Sequence, residues 1–220
     1  MAKTGAVGAD PRSTLISGLF AVVSMCVGIV SILGAVVLYS SSPLKPAFIR
    51  GFPFPFPVLN SGYVIFGQYI SELGIGPSSF LFNYGLMVTG VLAVPLFPGL
   101  LKLLRNTTVA KVGVIFGSVA AIALIGVGAF PMVVSSLHGP FSTVFFVCIG
   151  VSIVLISWEM LRGAFFSKAI AYYGFFFVLV DLSFIILGNP AAEWGVFFVI
   201  VTWLLATGIQ MLLKRSVTEI

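Results

Sequence analysis

Val112-Gly-Val-Ile-Phe-Gly-Ser-Val-Ala-Ala-Ile-Ala-Leu-Ile-Gly-Val-Gly-Ala-Phe-Pro-Met-Val-Val134 contains no charged residue and follows directly on Lys111. A helix crosses a bilayer with about 20 largely apolar residues, and this stretch supplies them. Working outward, five more segments meet the same test: Thr14–Tyr39 and Phe80–Leu104 before it, and Phe141–Leu161, Ala169–Leu187 and Trp194–Leu213 after it. The fold expected is an all-α integral membrane protein, a single bundle of six transmembrane helices spanning residues 1–220, with a long connection over residues 40–79.

Composition agrees. Hydrophobic residues make up 60% of the 220 and charged residues only 8%, with a mean hydropathy of +1.20. An ordinary soluble domain carries about a quarter charged residues, so the surface of this chain must largely face lipid. The formal charge of +5 does not indicate a nucleic-acid partner, because the basic residues are scattered and form no stripe. Cys26 and Cys148 lie in apolar runs and read as small hydrophobes. The first apolar run is longer than the roughly 7–15 residues of a signal-peptide core and is expected to remain as a helix.

Orientation follows from Lys and Arg, which favour cytoplasmic loops. With both termini cytoplasmic, nine of the eleven fall inside: Lys3, Arg12, Lys102, Arg105, Lys111, Arg162, Lys168, Lys214 and Arg215. Lys45 and Arg50 alone fall outside. The sequon Asn106-Thr107-Thr108 is then cytoplasmic and unmodified. The outer 40–79 connection holds Gly51-Phe-Pro-Phe-Pro-Phe-Pro57, whose prolines block a regular helix and whose rings suit the membrane interface. After it, Gly62–Leu73 is read as a short interfacial helix or an extended piece.

The other loops are short, which favours antiparallel neighbours. Gly113, Gly117 and Ala121 repeat at four-residue spacing, a small-residue face for close helix approach. It serves either a seam within the bundle or a protein partner, including a second copy. Pro95 and Pro98 should kink the second span. No internal repeat of the kind common in transporters is evident.

Six acidic residues remain to be placed. Asp10 and Glu219 fall in the terminal tails. Asp181 lies within the fifth span, where a carboxylate is costly and faces the interior. It is either a proton or headgroup ligand or a structural hydrogen-bonding group. Glu159 precedes Arg162 by three residues on one helix face, and an ion pair is expected. Ser71 and Glu72 end the long loop, Asn83 starts the second span, His138 occupies the 3–4 turn, and Asn189 and Glu193 the 5–6 turn. All of these rim the same outer mouth, with Asp181 below. His138 with a carboxylate can do acid–base chemistry, so Glu72 and His138 are the catalytic candidates. Ser71, Asn83, Asp181 and Glu193 are the binding candidates. One histidine falls short of a usual zinc set, and no metal or cofactor is expected. Nucleotide loops, GxSxG, HExxH and CxxC patterns are absent.

Tyr69-Ile-Ser-Glu-Leu-Gly74, Phe82-Asn83 and Phe130-Pro131…His138 together resemble the prokaryotic six-helix membrane family catalogued as domain of unknown function nine-nine-eight. That family is similar in layout to the Frag–DRAM–Sfk group, which includes a GPI-lipid remodelling factor. The resemblance implies six helices and a site at Ile70, Ser71, Glu72, Leu73, Gly74, Phe82, Asn83, Phe130, Pro131 and His138, with Glu72 where Asp is common. It assigns no role to Asp181 or Glu193, and the family carries no firm activity. The leading expectation is an outer-leaflet lipid-binding or remodelling protein of the cell membrane, with His138 as acid or base and Glu72 orienting it. A non-enzymatic scaffold subunit comes second and a small-solute or proton-coupled transporter third.

Overall fold

The structure is a computed structural model and describes residues 11–41, 63–132 and 135–215. The Phe-Pro stretch Gly51–Pro57, Lys45, Arg50 and the terminal tails lie outside the described residues. Seven α-helices and one short 3-10 turn account for the regular structure, and no strand occurs among the described residues. Helix α1 is Pro11–Ser41, α2 Ser79–Ala93, α3 Leu96–Leu103 and α4 Thr108–Ala129. Helix α5 is His138–Arg162, α6 Lys168–Leu187 and α7 Pro190–Arg215. The 3-10 turn, Ile70–Gly74, precedes α2.

Six helices are long and apolar enough to cross a membrane, with α2 and α3 together forming one of them, Ser79–Leu103. The break falls at Val94-Pro95, where the proline ring removes a donor and crowds the preceding turn. Large apolar side chains such as Val30, Val37, Ile115, Leu179 and Ile186 point away from the bundle, as lipid-facing residues do.

The packing order is a closed ring. Helix α1 packs on α2, α2 on α4, α4 on α5, α5 on α6, α6 on α7, and α7 returns to α1. Short connections explain the sequential pairs. The α1–α7 closure brings the two chain ends of the bundle together, and Gly18 lies against Gly208 and Met211. We call this the termini end and the opposite one, which carries the 3-10 turn, the turn end. The 3-10 turn touches α1, α2 and α7.

The small-residue face of α4 is used inside the chain. A Cβ added at Gly113 would stand 3.1 Å from Leu155 and Ile156 of α5, and one at Gly117 would overlap the Phe97 ring of α3. Gly113, Gly117 and Ala121 are all buried. The face therefore forms an intramolecular seam, and the protein partner considered for it would find it covered.

Two boundaries differ from the sequence expectation, and both bear on the site. His138 is the first residue of α5 rather than part of a turn, because Pro140 falls within the first helical turn, where a missing N–H costs nothing. Glu193 likewise sits in the first turn of α7, which begins at Pro190. A third difference concerns Gly62–Leu73: its last part is a 3-10 turn, cut short by Gly74-Ile75-Gly76-Pro77, in which Gly76 takes a φ of +79°.

Candidate functional site

The turn end is organised around the 3-10 turn, and α7 holds it. Gly188 closes α6 with a left-handed φ of +55°, a conformation that glycine adopts without a Cβ penalty. Asn189 follows, its Oδ1 accepting from Ala192 N at 2.9 Å, which is an N-cap bond. Pro190 then occupies the first helical position, where its fixed φ suits the helix. This two-residue reversal aims Glu193 at the turn. Glu193 Oε2 accepts a 2.6 Å hydrogen bond from Ile70 N, and Glu193 is only 8% exposed.

Six further side chains fix the same turn. Tyr63 Oη donates to the carbonyls of Gln68 and Tyr69 at 3.0 and 2.8 Å. Trp194 Nε1 donates to Gln68 O at 3.3 Å, and Tyr69 Oη donates to Gly188 O. Glu72 accepts from Tyr69 N at 3.1 Å through one oxygen and from Gln68 Nε2 at 3.0 Å through the other. At the far end of the turn, Asn83 Nδ2 donates to Gly74 O at 3.0 Å. Burial pushes the Glu72 carboxyl above its ordinary value, and the bonds from Tyr69 N and Gln68 pull partly the other way. Burial also raises the Tyr63 and Tyr69 phenols, with the nearby Glu72 and Glu193 adding to the effect. Both phenols are therefore neutral donors.

Beneath the turn lies a cavity of about 100 Å³ that is partly open at the surface. Its walls come from α1, α2, α4, α5 and α7, with Ile70 and Ser71 of the turn at one end. The lining is almost wholly apolar, and its polar members are Ser71, Thr89, Ser142 and Glu193. Thr89 Oγ1 donates to Gly85 O at 2.7 Å, and Ser71 Oγ lies 3.3 Å from Met132 Sδ. Glu193 Oε1 and Ser142 Oγ have no hydrogen bond among the described residues. The lining residues of α1 and α2 are buried, whereas Phe145, Phe146, Phe197 and Val201 on α5 and α7 are half-buried. In the ring, α5 and α7 are each packed on α6 rather than on one another.

The structure thus brings Ser71, Glu72 and Glu193 to one turn and adds Asn83 at its end. His138 stands apart from this group: its Nδ1 lies 2.9 Å from Phe130 O, tying the start of α5 to the end of α4. Glu72 has both oxygens committed within the turn, so the His138–Glu72 pairing expected for acid–base chemistry is not assembled. Asp181 is 5% exposed and lies deeper, where a Cβ on Gly150 would approach its Oδ2 to 2.6 Å. Its Oδ1 has no hydrogen-bond partner among the described residues, and Asp181 does not line the cavity.

The expected Glu159–Arg162 pair is not formed. Glu159 is fully buried with both oxygens unpartnered among the described residues. Arg162 turns to the bundle exterior, and its guanidinium lies 4.3 Å from the centre of the Trp158 ring. Trp158 is one turn back and 42% exposed, so it offers the cation a face at the surface, while Glu159 points inward. Among the described residues, no three His, Cys, Asp or Glu side chains gather as metal ligands would.

Sequence reading missed Gln68, Tyr63 and Trp194 as holders of the turn, and Ser142 on the cavity wall. An uncharged polar or aromatic residue beside a membrane boundary carries no signal of its own; only the ring topology shows which of them meet. No curated protein and no solved structure matches the chain, so nothing carries the wider likeness to the Frag–DRAM–Sfk group. A family profile described as protein of unknown function (DUF998) matches residues 56–210. That range covers the 3-10 turn, every cavity wall except α1, and well over half of the sequence, and the chain belongs to this family of membrane proteins of unknown function.

Proposed function

We propose that the protein binds a membrane lipid, taking the head-proximal carbons of an apolar chain into the central cavity with the polar head beside Ser71 and Glu193. The observation that carries this is the cavity itself. At about 100 Å³ it is smaller than the roughly 300–1,000 Å³ of a pocket that encloses a whole ligand, so it takes only the first few carbons of a chain whose remainder stays in the bilayer, and its apolar walls with four polar lining residues suit that junction of head and chain. A soluble metabolite would leave such walls unmatched, whereas a hydrocarbon chain replaces water there favourably.

Access is by way of the half-buried flank of α5 and α7, beside α6, where a lipid can slide in from the bilayer. The Lys and Arg distribution assigns the turn end to the outer side of the cell membrane, so the lipid comes from the outer leaflet. The exposed Val64, Ile65, Phe66, Phe80 and Tyr84 suit that interface. Glu72, Asn83 and His138 act as positioning residues that hold the turn and the helix ends around the cavity.

The test is to purify the protein in mild detergent and identify retained lipid by native mass spectrometry. Wild type should carry a stoichiometric lipid, and Ser142→Trp, which fills the cavity from α5, should lose it while eluting as a folded species. Equal lipid in both proteins would remove the cavity from consideration. If His138→Ala abolished turnover of a lipid while leaving binding intact, the catalytic reading of His138 would return.

A further inference from the structure

The polar groups that line the cavity differ in what they have left to offer. Thr89 lies well inside α2, and its hydroxyl proton goes to Gly85 O. The other three stand at the turn end: Ser71 in the 3-10 turn, Ser142 one turn into α5 and Glu193 in the first turn of α7. Ser71 Oγ faces the Met132 thioether at 3.3 Å, a weak acceptor. Ser142 Oγ has no hydrogen bond among the described residues. Glu193 Oε2 accepts from Ile70 N, and its Oε1 is uncommitted among them. No Lys or Arg among the described residues stands at the turn end, and Glu72 belongs to the same turn. A carboxyl 8% exposed in that setting is less costly neutral than ionised. Neutral, it keeps one oxygen for Ile70 N and has an O–H for the cavity it lines.

From these three donors we infer that the polar end of the cavity takes the carbonyl oxygen of an acyl lipid, an ester or an amide, with Ser71, Ser142 and Glu193 placed to donate to it. The inference rests on the cavity being a lipid site and adds the class of lipid. A carbonyl oxygen has two lone pairs and no proton, so it can receive two of these donors at once. The ether oxygen of an alkyl lipid is a poorer acceptor and leaves them unmatched. Size agrees with this. About 100 Å³ admits a carbonyl and the carbons next to it, where an acyl chain changes from polar to apolar. The lining makes the same change, from Ser71 at the turn to Leu86 and Ile200 deeper in the bundle. The remaining chain stays in the bilayer and the remaining headgroup at the surface, so the cavity reads neither the length of one nor the charge of the other.

The full chain, purified in detergent and stripped of lipid, is offered palmitoyl and hexadecyl glycerophosphocholine in equal amounts. These single-chain lipids differ only in an ester carbonyl against an ether methylene, and their chains run on into the micelle. Native mass spectrometry resolves the two bound forms in one spectrum. The ester should be held about fivefold over the ether, the weight of one hydrogen bond, and equally so for the pair with a bare phosphate head. Ser142→Ala should lower that ratio about twofold or more. Glu193→Ala should lower it likewise, and Glu193→Gln, whose amide again offers an acceptor to Ile70 N and a donor to the cavity, should restore it. The thermal transition of each variant is checked against wild type, and should Glu193→Ala not fold, Ser142→Ala carries the test. A wild-type ratio near one with either head, a ratio that no variant moves, or Glu193→Gln no better than Glu193→Ala overturns the carbonyl assignment. If the ratio is near one and Ser142→Trp abolishes binding of both lipids, the cavity reading stands and only the carbonyl assignment falls. If neither lipid is retained, or Ser142→Trp retains both, the two readings fall together.

Discussion

Glu193 is the residue on which the turn end depends most. Ile70 is 7% exposed, so removing the carboxylate from its N–H leaves a buried donor unmatched, at a cost of about 1–3 kcal/mol. Glu193→Ala should therefore lower the thermal unfolding midpoint measurably in detergent, while Glu193→Gln stays near wild type. Glu72 gives a pH signature. Its folded value is raised from the ordinary 4.5, so the folded state holds the proton more tightly than the unfolded one. Stability from this group is greatest below pH 4.5 and declines as pH rises toward the folded value. Glu72→Gln should flatten that decline in a series of thermal scans across acidic pH. Sequence reading named both carboxylates and put them at one end of the bundle. It did not distinguish their jobs, because one bonds locally within four residues and the other reaches across 123 positions of sequence. Glu159 shows the converse failure. Helical spacing put it near Arg162, but spacing cannot say that Trp158 one turn earlier offers the cation a better seat.

Helices were legible because a membrane imposes one simple demand, an apolar run of fixed length, and each of the six runs meets it. Their ends were less so. Proline reads in sequence as a helix breaker, yet Pro140 and Pro190 both fall in first turns, and the spans start about one turn earlier than the apolar runs suggest. That shift moves His138 and Glu193 from loop to helix and fixes their direction. The α6–α7 reversal is built from Gly188 and Asn189, and its capping bond has a predictable weight. Asn189→Ala should cost about 1 kcal/mol, and because Glu193 hangs from the same first turn, it should also weaken lipid retention. Measuring both on one preparation separates that coupling from a merely frayed helix, which would lose stability alone.

Six antiparallel spans do not dictate which helices touch, and hydropathy cannot show that the bundle closes on itself. The ring follows from tight reversals between successive helices, plus small residues that let distant ones meet: Gly18 and Gly208 between α1 and α7, and Gly85 against Ser31 between α1 and α2. Sidedness is a property of the whole molecule as well. Single cysteines introduced at Gly76 and at Asn106, in a Cys26→Ser, Cys148→Ser background, should differ in whole cells. A membrane-impermeant maleimide should label the first and not the second; the opposite pattern would invert the bundle. The closure between α1 and α7 also has a bearing on how the protein is made. Every other neighbouring pair in the ring is in place once the later helix of that pair leaves the ribosome. The first helix, however, has one of its two main partners in α7, the last helix of the ring to be made. Until α7 has been made the bundle is a horseshoe, its central space open to the surrounding bilayer along one whole side. A lipid can therefore be enclosed as the last helix docks, without ever having to squeeze between finished walls.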